Sequence, residues 1–412
     1  MQTELADFLA GTADGEEAKT IIGKCVHCGF CTATCPTYQL LGDELDGPRG
    51  RIYLMKNMFE GEPVTRKTQL HLDRCLSCRN CETTCPSGVQ YGRLIDIGRR
   101  VVETRVERPA GQRLMRYALT SVVPRRGLFS TAMAIGRVTR PLLNAKLKEK
   151  IPQGQLPRAT PDRQHVRRML LLEGCVQPAM LPNVNIATRR VFDALGVQVI
   201  SAHGAGCCGA IRLHLAQTED GLADVRRNID AWWPHVEDGV EVIIMNASAC
   251  GATVKEYGHL LRNDAKYAIK AARISALAKD LAEILPNFVE ELVSMVGNKR
   301  TSRVAFHPPC TLQHGQKIKG AIEGLLGSIG VDVRLAADSH LCCGSAGTYS
   351  ITQPELAGAL RSNKLTALER TAPDMIVSAN IGCITHLGAA TGIPVRHWIE
   401  LLDDLISAQP AP

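Results

Sequence analysis

The chain contains 412 residues, 45% of them hydrophobic and 22% charged, which is a composition typical of a protein with two or three globular domains. It lacks a run of eighteen apolar residues and begins with an acidic, polar segment, so neither a membrane span nor a secretory signal is predicted and a cytoplasmic location is expected. Aromatic residues make up only 4% of the chain, which argues against a nucleic-acid partner. The sixteen cysteines are expected to be metal ligands rather than disulfides in a reducing compartment.

Two cysteine-rich segments lie near the N-terminus. KCVHCGFCTATCPTY at 24–38 and RCLSCRNCETTCPSG at 74–88 share all four cysteines at an offset of 50 residues, and a proline follows the last cysteine of each. This C-x2-C-x2-C-x3-C-P pattern is typical of two-cluster ferredoxins, in which the fourth cysteine of one segment crosses to the other cluster. The predicted ligands of two [4Fe-4S] clusters are therefore Cys25, Cys28, Cys31 and Cys85 for cluster 1, and Cys75, Cys78, Cys81 and Cys35 for cluster 2.

A structural zinc protein is the alternative, but zinc requires four ligands per ion and does not explain the duplicated third cysteine and proline. His27 lies inside the first segment, and we interpret it as a neighbour that tunes a cluster. Arg49 and Arg51 lie between the segments, where they either brace a cluster or form surface salt bridges. Apolar residues at three-to-four spacing in the spacer predict helices, so residues 1–98 are expected to form a helical two-cluster ferredoxin domain.

The basic residues are concentrated in one segment. Residues 99–150 contain 13 Lys and Arg but only 3 Asp and Glu, although the whole chain has a formal charge of only +7. We predict a basic helical linker over residues 99–166. A solvated linker needs no partner, but the same charge would suit docking on an acidic protein or peripheral contact with anionic lipid at the cytoplasmic face of the inner membrane.

A second, longer repeat occupies the rest of the chain. RRMLLLEGC at 167–175 and TSRVAFHPPC at 301–310 each run as an apolar strand into a cysteine, and a CCG triplet begins 32 residues later in both copies. Helical segments and further strands alternate up to the last cysteine of each copy. This alternation predicts one parallel α/β unit over residues 167–298 and another over 299–412, packed as a pseudo-twofold pair.

Eight cysteines are expected at the carboxyl ends of these strands, where open parallel sheets bind ligands. They form two sets of four, Cys175, Cys207, Cys208 and Cys250 in the first unit, and Cys310, Cys342, Cys343 and Cys383 in the second. Buried structural cysteines are the alternative, but the recurrence of all four positions favours a further iron–sulfur site. The predicted fold class is α+β multidomain, with an N-terminal α-helical two-cluster ferredoxin domain followed by two tandem α/β CCG units.

The stretch GAGCCG at 204–209 also matches the G-x-G-x-x-G fingerprint of dinucleotide-binding folds. The corresponding stretch of the second copy reads SHLCCG, so only the cysteine pair and the following glycine are repeated. We therefore reject the nucleotide interpretation. Gly209 and Gly344 are expected to let the backbone approach a cofactor.

The segments CVHCGFCTATCPTYQLLGDELDGPRGRIYLMK, CLSCRNCETTCPSGVQYGRLIDIGR, FHPPCTLQH and DSHLCCGSAGTY resemble the iron–sulfur subunits of bacterial glycolate oxidases over about residues 20–405. The resemblance implies an oxidoreductase subunit that passes electrons towards a quinone or another acceptor. It also implies that FAD lies only on partner subunits, which oxidise glycolate to glyoxylate, with D-lactate as the alternative substrate. The chain itself is then expected to contain no catalytic residue.

The wider family includes electron-transfer subunits of glycerol-3-phosphate and lactate dehydrogenases and subunits of heterodisulfide reductases. A thiol or disulfide reductase of the latter class, with chemistry at the CCG cysteines, is the alternative function. The fullest CCG motif ends in C-x-x-C, whereas this chain has Ala247 and Asn380 at the first of those cysteines. This departure weakens the reductase alternative. His307, Asn380 and His340 lie near cysteines of the second copy and either substitute as ligands or play structural roles.

Overall fold

The computed structural model describes residues 1–297 and 302–407, which form a helical N-terminal part and two similar α/β units. The predicted boundary at residues 298–299 and the final residues 408–412 of the predicted second unit lie outside the described residues. The expected fold class, a helical domain followed by two tandem α/β units, is confirmed. Among the described residues, no helix has the length and apolar character needed to cross a membrane.

The N-terminal part is built from helices that begin at recognisable signals. Thr12 caps the first helix by accepting a hydrogen bond from the Gly15 amide at 3.0 Å, and Pro36 and Pro48 occupy first-turn positions of two others. The helices are α1 Ala13–Gly23, α2 Phe30–Ala33, α3 Pro36–Leu41, α4 Pro48–Phe59, α5 Arg66–Asp73, α6 Asn80–Thr84 and α7 Tyr91–Arg105, with a 3-10 turn at Glu44–Asp46.

Helix α7 runs through the predicted boundary at residue 98, and three further helices follow it in the basic segment. These are α8 Ala110–Val122, α9 Arg126–Val138 and α10 Ala145–Lys148, with a 3-10 turn at Arg140–Leu142. Residues 152–165 form neither helix nor strand. The segment predicted as a helical linker is therefore helical only in its first two thirds.

Each α/β unit contains a four-stranded parallel sheet, and the two sheets have the same topology. The strand order is β2-β1-β3-β4 in the first unit and β6-β5-β7-β8 in the second. The strands are β1 Arg167–Leu171, β2 Val197–Ile200, β3 Ile243–Met245, β4 Ala278–Asp280, β5 Arg303–His307, β6 Asp332–Leu335, β7 Met375–Ser378 and β8 Val395–His397. Because all strands are parallel, their carboxyl ends share one edge of each sheet.

Helices connect the strands on both faces of the sheets. In the first unit they are α11 Gln177–Met180, α12 Pro182–Ala194, α13 Ala210–His214, α14 Thr218–Glu237, α15 Ser248–Val254, α16 Tyr257–Leu260, α17 Ala268–Leu277, α18 Leu281–Ile284 and α19 Val289–Val296, with a 3-10 turn at Leu285–Phe288. In the second they are α20 Ala321–Ser328, α21 Tyr349–Thr352, α22 Pro354–Glu369, α23 Ile381–Gly388 and α24 Trp398–Ser407, with a π turn at Thr311–Gly315.

The two units share one hydrophobic core. Phe192 of the first unit belongs to the same buried cluster as Phe306 and Trp398 of the second. The strand ends also meet, because the Ser248 amide donates to the Ala379 carbonyl at 3.0 Å. The carboxyl edges of the two sheets therefore lie side by side, which brings the loops that carry the cysteines into one region.

The glycine of each CCG triplet packs closely against a helix. Gly209 and Gly344 adopt left-handed φ angles of 93° and 88°. A Cβ atom would lie 2.9 Å from the Gly221 carbonyl oxygen at the first glycine and 2.6 Å from the Ala357 carbonyl oxygen at the second. The backbone at these glycines thus approaches a helix closely, α14 in the first unit and α22 in the second. Glycine is needed because no other residue combines this φ with that clearance.

Candidate metal centres

The two ferredoxin-type segments adopt the same local backbone. His27 and Ser77 occupy equivalent positions with φ angles of 56° and 51°, and Gly29 and Arg79 are equivalent at 83° and 59°. Non-glycine residues rarely adopt such angles, so the repeated conformation indicates a loop that wraps around a fixed centre. Each loop then enters a short helix, α2 or α6, which presents the third cysteine, and the fourth follows before the proline.

The eight cysteines of these segments line two small cavities. The first is lined by Cys25, Cys28, Cys31 and Cys85 and also by Cys81, and the second by Cys35, Cys75, Cys78 and Cys81. Each cavity therefore contains the four cysteines that the crossover pattern predicts for it, Cys81 lines both, and all eight residues are free thiols. Four thiols around one cavity are the donor set that a [4Fe-4S] cluster requires, so the residues present fit this cofactor.

Burial makes free thiolates costly in both cavities. It raises the pKa of Cys31 to about 11 and holds the pKa values of Cys78 and Cys81 well above their usual range. A bound metal compensates the thiolate charge that burial disfavours, because a coordinating thiol is deprotonated by the metal. The high thiol pKa values are therefore compatible with metal ligands.

A buried ion network supports the cavity of cluster 2. Arg51, 1% exposed, donates to Asp46 Oδ1 at 3.3 Å and to Thr37 Oγ1 at 3.2 Å. Thr37 Oγ1 lies 3.3 Å from Cys35 Sγ, so the network ends at a predicted ligand. Of the two arginines singled out in the sequence, Arg51 braces this site, whereas Arg49 forms a partly exposed salt bridge to Glu44 at 2.6 Å.

Other supports of the same cavity were not predicted from the sequence. Arg99, on α7, donates to the Cys75 carbonyl at 2.6 Å and to Ser77 Oγ at 2.8 Å, which fixes the first turn of the second loop. Nothing in the spacing of Arg99 relative to the cysteines distinguishes it from the other arginines of the basic segment. Its role follows from helix packing, which the cysteine pattern does not specify.

Two residues that line the cluster cavities carry a buried polar atom without a partner among the described residues. They are His27, whose Nε2 is unpartnered and which lines the cavity of cluster 1, and Tyr91, whose Oη is unpartnered and which lines both cavities. Burial and the charge of Arg49 lower the pKa of His27, which keeps its ring neutral. Both groups are able to donate to the sulfur atoms of a bound cluster, which gives these orphan donors a partner. His27 is thus placed where the sequence predicted a tuning residue.

The four cysteines of each α/β unit also converge. Their thiols interact in the orders Cys175–Cys207–Cys208–Cys250 and Cys310–Cys342–Cys343–Cys383. The Sγ atoms of Cys310 and Cys342 lie 3.8 Å apart. A neighbouring thiol and then burial raise the pKa values of Cys175 and Cys310 well above their usual range. Each unit thus gathers four thiols at the carboxyl edge of its sheet, and a metal centre fits this donor set.

The second unit contacts the N-terminal part directly at cluster 2. Cys78 and Cys310 interact electrostatically, and Leu76 packs in one buried cluster with Cys342 and Tyr349. The Tyr349 hydroxyl donates to the Arg74 carbonyl at 3.1 Å. The first unit makes a different contact, in which Arg79 and Arg93 pair with Glu256 at 3.1 and 2.9 Å. Only the second unit therefore brings its cysteines next to cluster 2 within the described part of the chain.

A cavity of about 600 Å³ lies where the N-terminal part meets the two units. Its wall includes cysteines of cluster 2 and of the second unit, but among the described residues that line it none is a cysteine of the first unit. The lining cysteines are Cys75, Cys78, Cys310, Cys342 and Cys383. The two copies are thus unequal: both line this cavity, but among the described residues only the second contributes cysteines to its wall.

The residues near the second quartet differ in what they contact. Asn380 Nδ2 donates to Cys383 Sγ at 3.6 Å, while its Oδ1 accepts from the Ala249 amide. His307 is 1% exposed, and burial lowers its pKa to about 3. The backbone carbonyl of His340 accepts from Asn80 at 3.2 Å, which makes this residue part of the contact between domains.

Taken together, the paired four-thiol cavities and the two thiol quartets define an iron–sulfur electron-transfer protein. A family model described as a 4Fe-4S dicluster domain matches residues 21–89, and one described as a cysteine-rich domain, CCG, matches residues 169–255 and 304–388.

Similar proteins identify the particular family. The glycolate oxidase iron–sulfur subunit of Escherichia coli K12 is 54% identical over 99% of this chain and 100% of that protein. The probable glycolate oxidase iron–sulfur subunit of Bacillus subtilis is 29% identical over 88% of this chain and 87% of that protein. Lactate utilization protein A of Bacillus licheniformis is 26% identical over 56% of this chain and 96% of that protein. The chain belongs to the family of glycolate oxidase iron–sulfur subunits, which confirms the resemblance seen in the sequence.

Proposed function

We propose that this chain is the electron-transfer subunit of a glycolate oxidase complex. It passes electrons from FAD-containing subunits, which oxidise glycolate to glyoxylate, towards a quinone or another acceptor. The observation that carries the proposal is the pair of four-cysteine cavities, one beside an exposed loop and one beside the second α/β unit. The E. coli relative, 54% identical over 99% of this chain, supports glycolate as the substrate of the partner subunits.

Two [4Fe-4S] clusters are assigned to these cavities. Cluster 1 is held by Cys25, Cys28, Cys31 and Cys85, and cluster 2 by Cys75, Cys78, Cys81 and Cys35. When bound, such clusters exchange one electron at a time, whereas oxidation of glycolate to glyoxylate releases two electrons and two protons. The chain contributes thiolate ligands, excludes water by burial and aims donors such as Tyr91 and His27 at the clusters. A two-electron carrier on the partner is needed because this chain supplies only one-electron sites.

Electrons are proposed to enter at cluster 1. Cys28 is exposed, and the apolar side chains of Val26 and Phe30 beside it are 69% and 62% exposed. An apolar rim around a surface-facing cluster suits docking of the flavin subunit, because it brings the two redox centres close and excludes water between them. The path then leads inward to cluster 2, and from there to the quartet of the second α/β unit.

The basic segment is proposed to contact the cytoplasmic face of the inner membrane. Helices α8 and α9 leave apolar side chains exposed, among them Tyr117, Ile135 and Val138, within the segment that carries the excess of Lys and Arg. Apolar groups beside cationic ones favour binding to anionic lipid. Vesicles of phosphatidylglycerol are expected to bind the chain, and vesicles of phosphatidylcholine are not. Val138→Asp should weaken this binding, while Leu335→Asp, at an exposed apolar site of the second unit, should leave it unchanged.

The proposed function is tested by dye reduction with glycolate. The isolated chain is expected to be inactive, and the complex with its flavin subunits is expected to be active. Glycolate oxidation by the isolated chain would overturn the proposal. The reductase alternative requires that Cys208→Ser and Cys343→Ser abolish thiol or disulfide turnover while clusters 1 and 2 remain intact.

A further inference from the structure

A buried histidine lies beside the cysteines of the second α/β unit. His307 ends strand β5, and a ring nitrogen of His307 and the Sγ atoms of Cys343 and Cys383 all lie within 4.8 Å of one another. All three residues are buried. His307 Nε2 has no hydrogen-bond partner among the described residues. An unpartnered polar atom in a buried thiol cluster is costly unless something else binds it.

The other ring nitrogen of His307 fixes which tautomer is present. Nδ1 lies 3.0 Å from Ser378 Oγ, and that hydroxyl in turn donates to the His307 backbone carbonyl at 3.0 Å. Because Ser378 donates its hydroxyl hydrogen to the His307 carbonyl, Ser378 Oγ accepts a hydrogen bond from Nδ1–H of His307. Nε2 then carries the lone pair. This is the arrangement found in metal-binding histidines, in which one nitrogen is anchored and the other ligates.

The first unit lacks this nitrogen. The residue three positions before its first cysteine is Leu172, where the second unit has His307. The residue three positions before its last cysteine is Ala247, where the second unit has Asn380. The first quartet therefore offers thiols alone, whereas the second adds an imidazole and an amide that donates to Cys383 Sγ.

We propose that His307 Nε2 is an iron ligand of an iron–sulfur cluster in the second unit, alongside the thiolates of Cys310, Cys342, Cys343 and Cys383. This inference rests on the proposed role of these cysteines as cluster ligands. Compared with a fifth thiolate, as in the fullest CCG motif, a neutral imidazole leaves a cluster less negative and gives it a higher reduction potential. The contact between Cys78 and Cys310 places this site next to cluster 2. A cluster held by His307 and these cysteines would accept single electrons beside the cavity assigned to cluster 2.

The inference is tested by nitrogen hyperfine spectroscopy on the full chain, purified anaerobically and labelled with 15N-histidine. Pulsed electron paramagnetic resonance of the partly reduced protein is expected to show the strong coupling of a directly bound imidazole. His307→Ala should abolish this coupling, and His307→Cys should abolish it while retaining the cluster at a lower midpoint potential. His386→Gln is the matched control, because the Nε2 atom of this histidine bonds the Ala357 carbonyl, and this variant should retain the coupling.

Three results would overturn the inference. They are a coupling that persists in His307→Ala, a single zinc ion in the second unit, and about eight irons per chain, which two four-iron clusters already account for. None of these results would change the assignment of clusters 1 and 2 to their cysteines. Failure of the proposed function would appear instead as glycolate oxidation by the isolated chain, so the two failures are distinguishable.

Discussion

Single side chains around clusters 1 and 2 decide how easily electrons are accepted. The Tyr91 hydroxyl is buried without a partner among the described residues, and its residue lines both cluster cavities. Its pKa is held well above its usual range, first by burial and then by Cys75, so it stays protonated and able to donate. A hydrogen bond to cluster sulfur favours the reduced, more negative cluster. We therefore expect Tyr91 to tune a cluster potential without being a ligand.

We predict that Tyr91→Phe lowers the midpoint potential of at least one of these clusters while leaving the iron content unchanged. The ring still fills its site, so folding should not suffer. A redox titration followed by electron paramagnetic resonance measures the shift. Tyr117→Phe, at an exposed position on α8, is the control, and potentials unchanged in both variants would show that Tyr91 is not a donor to a cluster.

The Arg51 network predicts a stability difference between two neighbouring arginines. Arg51→Met leaves Asp46 with its buried charge less compensated and removes the donor to Thr37, and breaking a buried pair costs about 3–5 kcal/mol. Arg49→Met removes a partly exposed pair that is worth about 1 kcal/mol at most. Chemical denaturation of the two variants under anaerobic conditions measures both losses. Equal losses would mean that the network does not support the fold.

At the scale of elements, each CCG triplet supplies two thiols of its quartet from the segment that follows β2 or β6. Gly344 is left-handed, and an added Cβ would meet the Ala357 carbonyl of α22 at 2.6 Å. Gly320 is also left-handed, with a φ of 75°, but its Cβ would meet nothing within 4 Å. Substitutions at Gly344 and Gly320 therefore distinguish the cost of a left-handed backbone from the cost of close packing against α22.

We predict that Gly344→Ala destabilises the protein more than Gly320→Ala. The control carries only the left-handed penalty of about 1–2 kcal/mol, whereas the test variant also has to displace a helix. Thermal unfolding of the full chain, monitored by circular dichroism, measures the melting temperature of each variant. A loss at Gly344 no larger than that at Gly320 would contradict the close approach.

The repeats made much of this architecture predictable. Cysteine spacing predicted the two four-thiol sets, and the alternation of strands and helices predicted the parallel sheets that gather the remaining thiols. Three features were not predictable, because each depends on packing between segments distant in the chain. They are the contact of each CCG glycine with a helix carbonyl, the hydrogen bond from Arg99 to the Cys75 carbonyl, and the burial of the Tyr91 hydroxyl beside the cluster cavities. The unequal placement of the two α/β units also escaped the pattern, since their cysteine spacing is nearly the same and which unit docks beside cluster 2 depends on packing between domains.

At the scale of the whole molecule, the fold arranges its sites in a sequence. Cluster 1 lies beside an exposed apolar loop, cluster 2 lies between it and the second α/β unit, and a cavity of about 600 Å³ opens at the junction. Each step brings cysteines of one site against those of the next. The arrangement suits stepwise electron transfer from a partner to an acceptor better than it suits chemistry at any single site.

Glycolate is expected to reduce these clusters only through a flavin partner. The most direct measurement is freeze-quench electron paramagnetic resonance after anaerobic mixing with glycolate, with and without the flavin subunits. We predict reduced cluster signals in the complex and none in the isolated chain, although dithionite reduces both. Cluster signals from the isolated chain with glycolate, or an oxidised chain in the active complex, would contradict the account.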